Sequence, residues 1–263
     1  MDTTLSRDGT TIAYDKTGRG PALIFVTGAM TARVAVAPVA AALAPHLTVY
    51  AYDRRGRGDS GDSSAYTPER EVEDLEAMIA VAGGHAFVFG HSSGAALALK
   101  AAIHGLAITR LALYEPPYIV DDSRPPLPPE YVPTLRAHVA AGHPGDAVEY
   151  FWRVGVRMPP EAIAHLRSSP MWPGIVAMAR TIPYDAEVVG DHMAGKPLPA
   201  EWAGRVTIPT LVLDGGDSPA PMRNAVAAVA GLLPNVKRIT LEGQGHGAPA
   251  DVLAPVLEAF FLG

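Results

Sequence analysis

Cysteine is absent from the chain, which excludes disulfides, a thiolate nucleophile and any cysteine-held metal. No long apolar run is present either: nothing approaches the roughly 20 residues that a bilayer-spanning helix needs. Met1-Asp2-Thr3-Thr4-Leu5 lacks the basic stretch and apolar core of a secretory leader. An excess of positive charge is missing too. Lys and Arg number 21 against 27 Asp and Glu, a net charge of −6, with no basic stripe to follow a nucleic acid. These absences set the expectation of a cytoplasmic protein with neither a membrane nor a nucleic acid as partner, and they say nothing of oligomeric state. Aromatic residues make up only 7%, yet 48% of the 263 residues are apolar. That suffices for a sizeable core in one large domain, or in a core that carries an insertion.

What is present is an alternation of strand and helix signals. Thr3–Leu5 and Thr10–Tyr14 read as a hairpin turned at Asp8-Gly9. The apolar run Ala22–Val26 reads as a buried strand. An Ala-rich helix follows over 34–44, its start left open by Pro38. Leu47–Tyr52 is the next strand, and Thr67-Pro68 opens a helix to about Ala82, with threonine at the cap and proline in the first turn. Phe87–Phe89 and Ile108–Tyr114 are further buried strands. From Tyr118 to Arg205 only helical patterns occur: 131–141, 146–156, 161–167, 172–181 and 185–193, separated by prolines and glycines. Alternation resumes with a strand at 210–214, a helix at 221–232, a strand at 236–241 and a closing helix at 250–261. The pattern implies a mostly parallel sheet covered on both faces. Residues 1–117 and 206–263 form its core, and 118–205 a helical cap inserted after the sixth strand. Ligands of such sheets bind beyond the carboxyl ends of the strands. Thr27-Gly28-Ala29, Asp53, Ser92, Glu115, Asp214 and His246 all fall at or just past such an end.

The chemistry centres on Gly90-His91-Ser92-Ser93-Gly94. A Gly-x-Ser-x-Gly segment between a strand and a small-residue helix is an elbow that lifts a serine hydroxyl clear of the sheet. Glycines at both flanks let strand and helix approach closely. Serine is a poor nucleophile without a base, and the base needs an orienting acid. His246 lies after the last strand in Gly243-Gln244-Gly245-His246-Gly247, a loop flexible enough to fold back over the sheet end. The other histidines are poorly placed: His85, His104, His138, His143, His165 and His192 lie in helices or connections, His46 precedes a strand, and His91 sits beside the serine.

With these residues in place the chain resembles the α/β-hydrolase family over essentially its whole length. The resemblance rests on the elbow, the loop Asp53-Arg54-Arg55-Gly56-Arg57-Gly58-Asp59-Ser60, the late Gly-x-Gly-His246 and the insertion. It implies an eight-stranded, mostly parallel sheet with a helical cap. The family usually places the acid after the seventh strand, three residues past a glycine, and here that position holds Ser218. A minority places it after the sixth strand. There this chain has Glu115, an arrangement similar to that of the zearalenone lactonases. Glu115 is therefore the favoured acid and Asp217 the alternative, although Asp217 would equally suit a helix cap ahead of Ser218-Pro219. The resemblance places the oxyanion donors at the N–H of Ser93 and of Ala29, or Gly28 if the loop is shifted. Arg54, Arg55 and Arg57 read as structural rather than as an anion site. A pocket wall is expected from Gly28, Met30, Trp152, Met171 and Trp172.

The expected activity is that of a serine hydrolase cleaving a carboxylic ester or lactone of a largely apolar small molecule through an acyl-enzyme, with no metal or cofactor. Hydrolysis of a carbon–carbon bond in a diketone on the same triad is one alternative. A ligand-binding, receptor-like protein with little turnover is the other.

Overall fold

The computed structural model describes the chain from Met1 to Gly263. Its centre is an eight-stranded sheet: β1 (Asp2–Leu5), β2 (Thr11–Gly18), β3 (Ala22–Val26), β4 (Thr48–Tyr52), β5 (Ala86–His91), β6 (Ile108–Tyr114), β7 (Thr210–Gly215) and β8 (Val236–Leu241). The spatial order is β1-β2-β4-β3-β5-β6-β7-β8. The two pairings of β2 are antiparallel and all others are parallel. The sequence shows why both faces are covered. In β3, Ile24 and Val26 join the apolar cluster on one face, and Leu23 and Phe25 the cluster on the other. Continuous apolar residues with a period of two thus serve two cores at once.

The first face is covered by α2 (Pro68–Val81), α3 (Ser93–Ile103) and α10 (Ala220–Leu232), the second by α1 (Ala37–Leu43) and α11 (Ala250–Leu262). The helix expected over 34–44 divides between Val36 and Ala37. Arg33–Val36 is a 3-10 turn, and the α-helix starts with Pro38 in its first turn, where a missing N–H does no harm. Thr67 stands at the N-cap of α2, but its hydroxyl makes no capping bond. No helix is long and apolar enough to cross a membrane.

Between β6 and β7 the chain forms helices only: α4 (Tyr131–Ala140), α5 (Pro144–Tyr150), α6 (Pro160–Arg167), α7 (Trp172–Ala177), α8 (Ile182–Val189) and α9 (Trp202–Arg205). Alpha5 continues as a π-helical segment over Phe151–Val156, so the pattern read over 146–156 is one element with a widened last turn. The helix α9 is the one that the sequence pattern did not indicate. Tyr131, Leu135, Val148, Trp152 and Ile182 form the insertion's own small core. Its two ends are rooted elsewhere. Tyr118, Val188, Val189, Trp202 and Val206 belong to the apolar cluster under the sheet. The helix α8 serves both clusters and spans the junction.

All of α3 except Lys100 and Ile103 is buried. Its alanines let the helix lie close to the sheet, and burial of Leu97 and Leu99 contributes roughly 1.5–3 kcal/mol each. The closest approach is at Gly94, where a Cβ would stand 2.3 Å from Val26 O and 2.5 Å from Thr27 O. Both are backbone atoms that cannot step aside. Gly94→Ala is therefore expected to destabilise the protein by roughly 2–3 kcal/mol or more, read as a lower urea midpoint in equilibrium unfolding.

Candidate active site

Only Ser92 separates the end of β5 from the start of α3. The reversal forces it to φ 57° and ψ −125°, a region L-residues avoid at about 1–3 kcal/mol. Glu115, immediately after β6, has φ 47°, and Met30, in the loop after β3, has φ 55°. Three of the four non-glycine residues with positive φ thus gather at one end of the sheet. The register brings them together: His91 pairs with Tyr114 across β5 and β6, and the N–H of Ser92 donates to Tyr114 O at 2.9 Å.

His246 descends from the loop between β8 and α11. Its Nε2 lies 3.0 Å from Ser92 Oγ, and its Nδ1 lies 2.6 Å from Glu115 Oε2. A proton on Nδ1 donated to the carboxylate leaves Nε2 free to accept from the serine hydroxyl. Glu115 is fully buried. Its second oxygen accepts the N–H of Gly215 at 2.8 Å, so both carboxylate oxygens are engaged. The histidine loop is itself held twice. Tyr114 donates its hydroxyl to Gly245 O at 2.7 Å, and His91 Nε2 donates to His246 O at 2.7 Å. His91, set aside in the sequence as a neighbour of the serine, therefore supports the loop that carries His246. Facing the serine, Ser93 occupies the first position of α3, where an N–H has no intrahelical acceptor. The N–H of Ala29 likewise donates to no backbone carbonyl.

A family model described as the alpha/beta hydrolase family matches residues 23–258. The chain belongs to the alpha/beta hydrolase family. A solved alpha/beta hydrolase from Sphaerobacter thermophilus is 53% identical, with a TM-score of 0.92, over 99% of this chain and 100% of that one. The N-formylmaleamate deformylase of Pseudomonas putida is 34% identical over 140 residues, 51% of this chain. The matched stretch spans about half (52%) of that deformylase. The 2-(acetamidomethylene)succinate hydrolase of Mesorhizobium japonicum is 25% identical over 252 residues, 90% of this chain and 85% of that enzyme.

In this alpha/beta hydrolase neither aspartate of the seventh-strand region reaches His246. Asp214 is buried against Arg238 (2.8 Å) and Thr240 (3.1 Å) of the neighbouring strand. Asp217 is exposed, and its backbone N–H bonds to Gln244 O at 2.9 Å. It is not the helix cap either, since Pro219 holds that position without a side-chain bond. Ser218 is buried, with an unpartnered hydroxyl. The histidine loop passes close to the backbone at Gly215. A Cβ there would stand 2.3 Å from Gln244 O and 2.4 Å from Gly245 O, because the histidine loop crosses directly over it.

A cavity of about 250 Å³ opens beside the elbow, lined among others by Thr27, Gly28, Phe89, His91, Ala248 and Leu253. Of the pocket residues named from the sequence, Gly28 lines it. Trp152, Met171 and Trp172 do not line this cavity. Trp152 is buried in the insertion's core with Trp172 tilted against it at 6.1 Å, and Met171 is 61% exposed. Met30 packs against the insertion's core rather than into the cavity. The two tryptophans fill the insertion's own interior. The arginines after β4 are buried and saturated. Arg55 forks onto Asp74 at 2.7 Å through each of two nitrogens, and Arg54 does the same to Glu71 at 2.6 and 2.7 Å. They leave no free anion site.

Burial, reinforced by the neighbouring His246, pushes the His91 imidazole down to about 4. A histidine that stays neutral when folded but protonates near 6.5 when unfolded favours the unfolded chain as pH falls. Stability is thus full above pH 6.5 and is lost progressively towards pH 4. The Tm of the wild type should fall more steeply across this range than that of His91→Gln, as read by thermal melts at stepped pH.

Proposed function

We propose that this alpha/beta hydrolase is a serine hydrolase that cleaves a carboxylic ester or lactone of a small, largely apolar molecule through an acyl-enzyme. The observation that carries this reading is the continuous relay Ser92–His246–Glu115, with contacts of 3.0 and 2.6 Å. In this mechanism Ser92 Oγ attacks the carbonyl carbon while His246 Nε2 takes its proton. Glu115 keeps the imidazole in the required tautomer and stabilises its charged form. The carbonyl oxygen becomes an oxyanion received by the N–H groups of Ala29 and Ser93. His246 then protonates the leaving oxygen, and a water repeats the sequence in reverse to release the acid and restore Ser92. Neither a metal nor a cofactor enters any step. The apolar lining of the cavity beside the elbow supports a substrate with a short hydrocarbon acyl or alkyl part, and the helical insertion, which contributes no residue to that lining, is read as a lid over the carboxyl end of the sheet.

A second reading follows from the relatives. The Pseudomonas enzyme is named as a deformylase of N-formylmaleamate and the Mesorhizobium enzyme as a hydrolase of 2-(acetamidomethylene)succinate, and both substrates carry an N-acyl group. The same relay would cleave such an N-acyl bond, with the leaving nitrogen protonated by His246 in place of an alkoxide.

Turnover of p-nitrophenyl acetate and butyrate, set beside release of formate or acetate from N-acyl enamine substrates, separates the two readings. Ser92→Ala is expected to lower kcat by at least about 10⁴-fold on whichever substrate is turned over. Retained turnover or continued fluorophosphonate labelling in that variant refutes the proposal. Glu115→Gln should lower kcat by roughly 10²–10⁴-fold, while Asp217→Asn stays within about twofold of wild type. The reverse outcome would move the acid to Asp217.

A further inference from the structure

Asp185 belongs to α8 in the insertion, yet every hydrogen-bond partner of its side chain lies in the sheet core. Its Oδ1 accepts from Arg54 Nη1 at 2.7 Å, Arg57 Nη2 at 2.7 Å and Ser93 Oγ at 2.6 Å, and its Oδ2 also accepts from Arg57 Nη2 at 2.7 Å. The side chains of Arg54, Arg57 and Asp185 are 0%, 1% and 4% exposed. Charge balances within the group, with Arg54 and Arg57 set against Glu71 and Asp185.

A cluster that served only to join insertion to core would have no need to touch the groups around Ser92. This one touches both. Arg57 Nη1 donates to Gly28 O at 2.6 Å. That carbonyl belongs to the peptide whose N–H is Ala29's. In a planar trans peptide the C=O and N–H point in opposite directions, so pinning the carbonyl from behind aims the N–H forward. A guanidinium on the carbonyl also polarises the amide and makes its N–H a stronger donor. Arg54 Nη1 reaches Thr27 O at 3.2 Å and Ser93 Oγ at 3.1 Å. Ser93, which supplies the other N–H, is thereby held between an arginine and Asp185. Thr181, just before α8, accepts from Arg57 Nε at 3.2 Å and fixes the plane of the fork.

We infer that Asp185, Arg57 and Arg54 are positioning residues for the oxyanion hole: the insertion, through one buried carboxylate, sets the direction of both N–H groups that receive the developing charge. The inference rests on the serine-hydrolase reading above. It makes the insertion part of the catalytic geometry and not only a cover over it. A lysine at position 57 has a single charged nitrogen and cannot hold Gly28 O, Thr181 and both Asp185 oxygens in one plane.

The test measures kcat and KM for p-nitrophenyl butyrate, together with the Ki of a trifluoromethyl ketone, whose adduct with serine carries an anionic oxygen. The variants are Arg57→Lys, Asp185→Asn and Ser93→Ala, the last keeping its N–H and losing only the hydroxyl. Glu187→Gln, on the same helix as Asp185, removes a more exposed pair with Arg136 of α4 and is the control. Small misplacements of such donors are worth up to about 10²-fold. Arg57→Lys and Asp185→Asn should lower kcat by roughly 10- to 100-fold with KM within about threefold, and weaken the ketone by a similar factor. Ser93→Ala should lose about 3- to 10-fold in both, and Glu187→Gln should match wild type. Thermal melts identify the folded variants. Wild-type kcat in folded Arg57→Lys and Asp185→Asn overturns the inference, as does a fall in kcat with unchanged ketone affinity. If neither charge variant folds, Ser93→Ala decides: wild-type kcat and Ki there overturn it. Turnover surviving in Ser92→Ala would instead remove the hydrolase reading on which the inference stands.

Discussion

The constraint on which the molecule depends is the pressing of α3 into the carboxyl end of the sheet. The helix starts one residue after β5 ends, so Ser92 must adopt a left-handed backbone. Gly94 must pass within contact distance of the β3 carbonyls. Neither condition would survive in an isolated segment. They hold because both faces of the sheet bury continuous apolar surface and α3 contributes nearly its whole length to one of them. The strain at the serine is thus local, while the interactions that sustain it are spread through the core.

Much of this was legible in the residues. Strands such as Ala22–Val26 and Ile108–Tyr114 are apolar runs of strand length between turn signals, and the elbow is legible because its Gly-x-Ser-x-Gly spacing stands between a strand and a small-residue helix. Ser92, His246 and Glu115 could be named because each follows a strand, and a parallel sheet gathers strand ends. The choice of Glu115 over Asp217 drew on a likeness of position; in the structure only Glu115 reaches the histidine. What was not legible depends on contacts distant in sequence. Nothing near Gly215 announces that residues 244 and 245 cross above it, and nothing near His91 announces that its ring bonds to His246 O.

The insertion was read least well, for a physical reason. Its helices are short, proline-punctuated and only partly amphipathic, so their spacing shows that a residue is covered but not by what. Trp152 and Trp172 cover one another. The same ambiguity hid the arginines after β4. Dense positive charge in a loop says only that carboxylates must lie near if it is buried, and Asp185 is 131 residues away from Arg54. Burial alone would raise the Asp185 carboxyl, but the charges of Arg57 and Arg54 outweigh it and hold it below the ordinary range. The pairing is ionic through and through. The junction between insertion and core is correspondingly polar at its centre and aromatic at its rim, where Tyr66 stacks on Tyr184 at 3.6 Å.

The double engagement of Glu115 has a consequence for the energetics of turnover. A carboxylate free to swivel, or surrounded by water, must reorient whenever the charge on its partner imidazole changes, and that rearrangement adds to the barrier. Here one oxygen is tied to a backbone N–H that cannot move without moving β7, and the other is already on His246. The dipoles around the imidazole are therefore aligned before any substrate arrives, and little reorganisation is left for the moment at which charge develops. The alignment is accomplished once, when the chain folds.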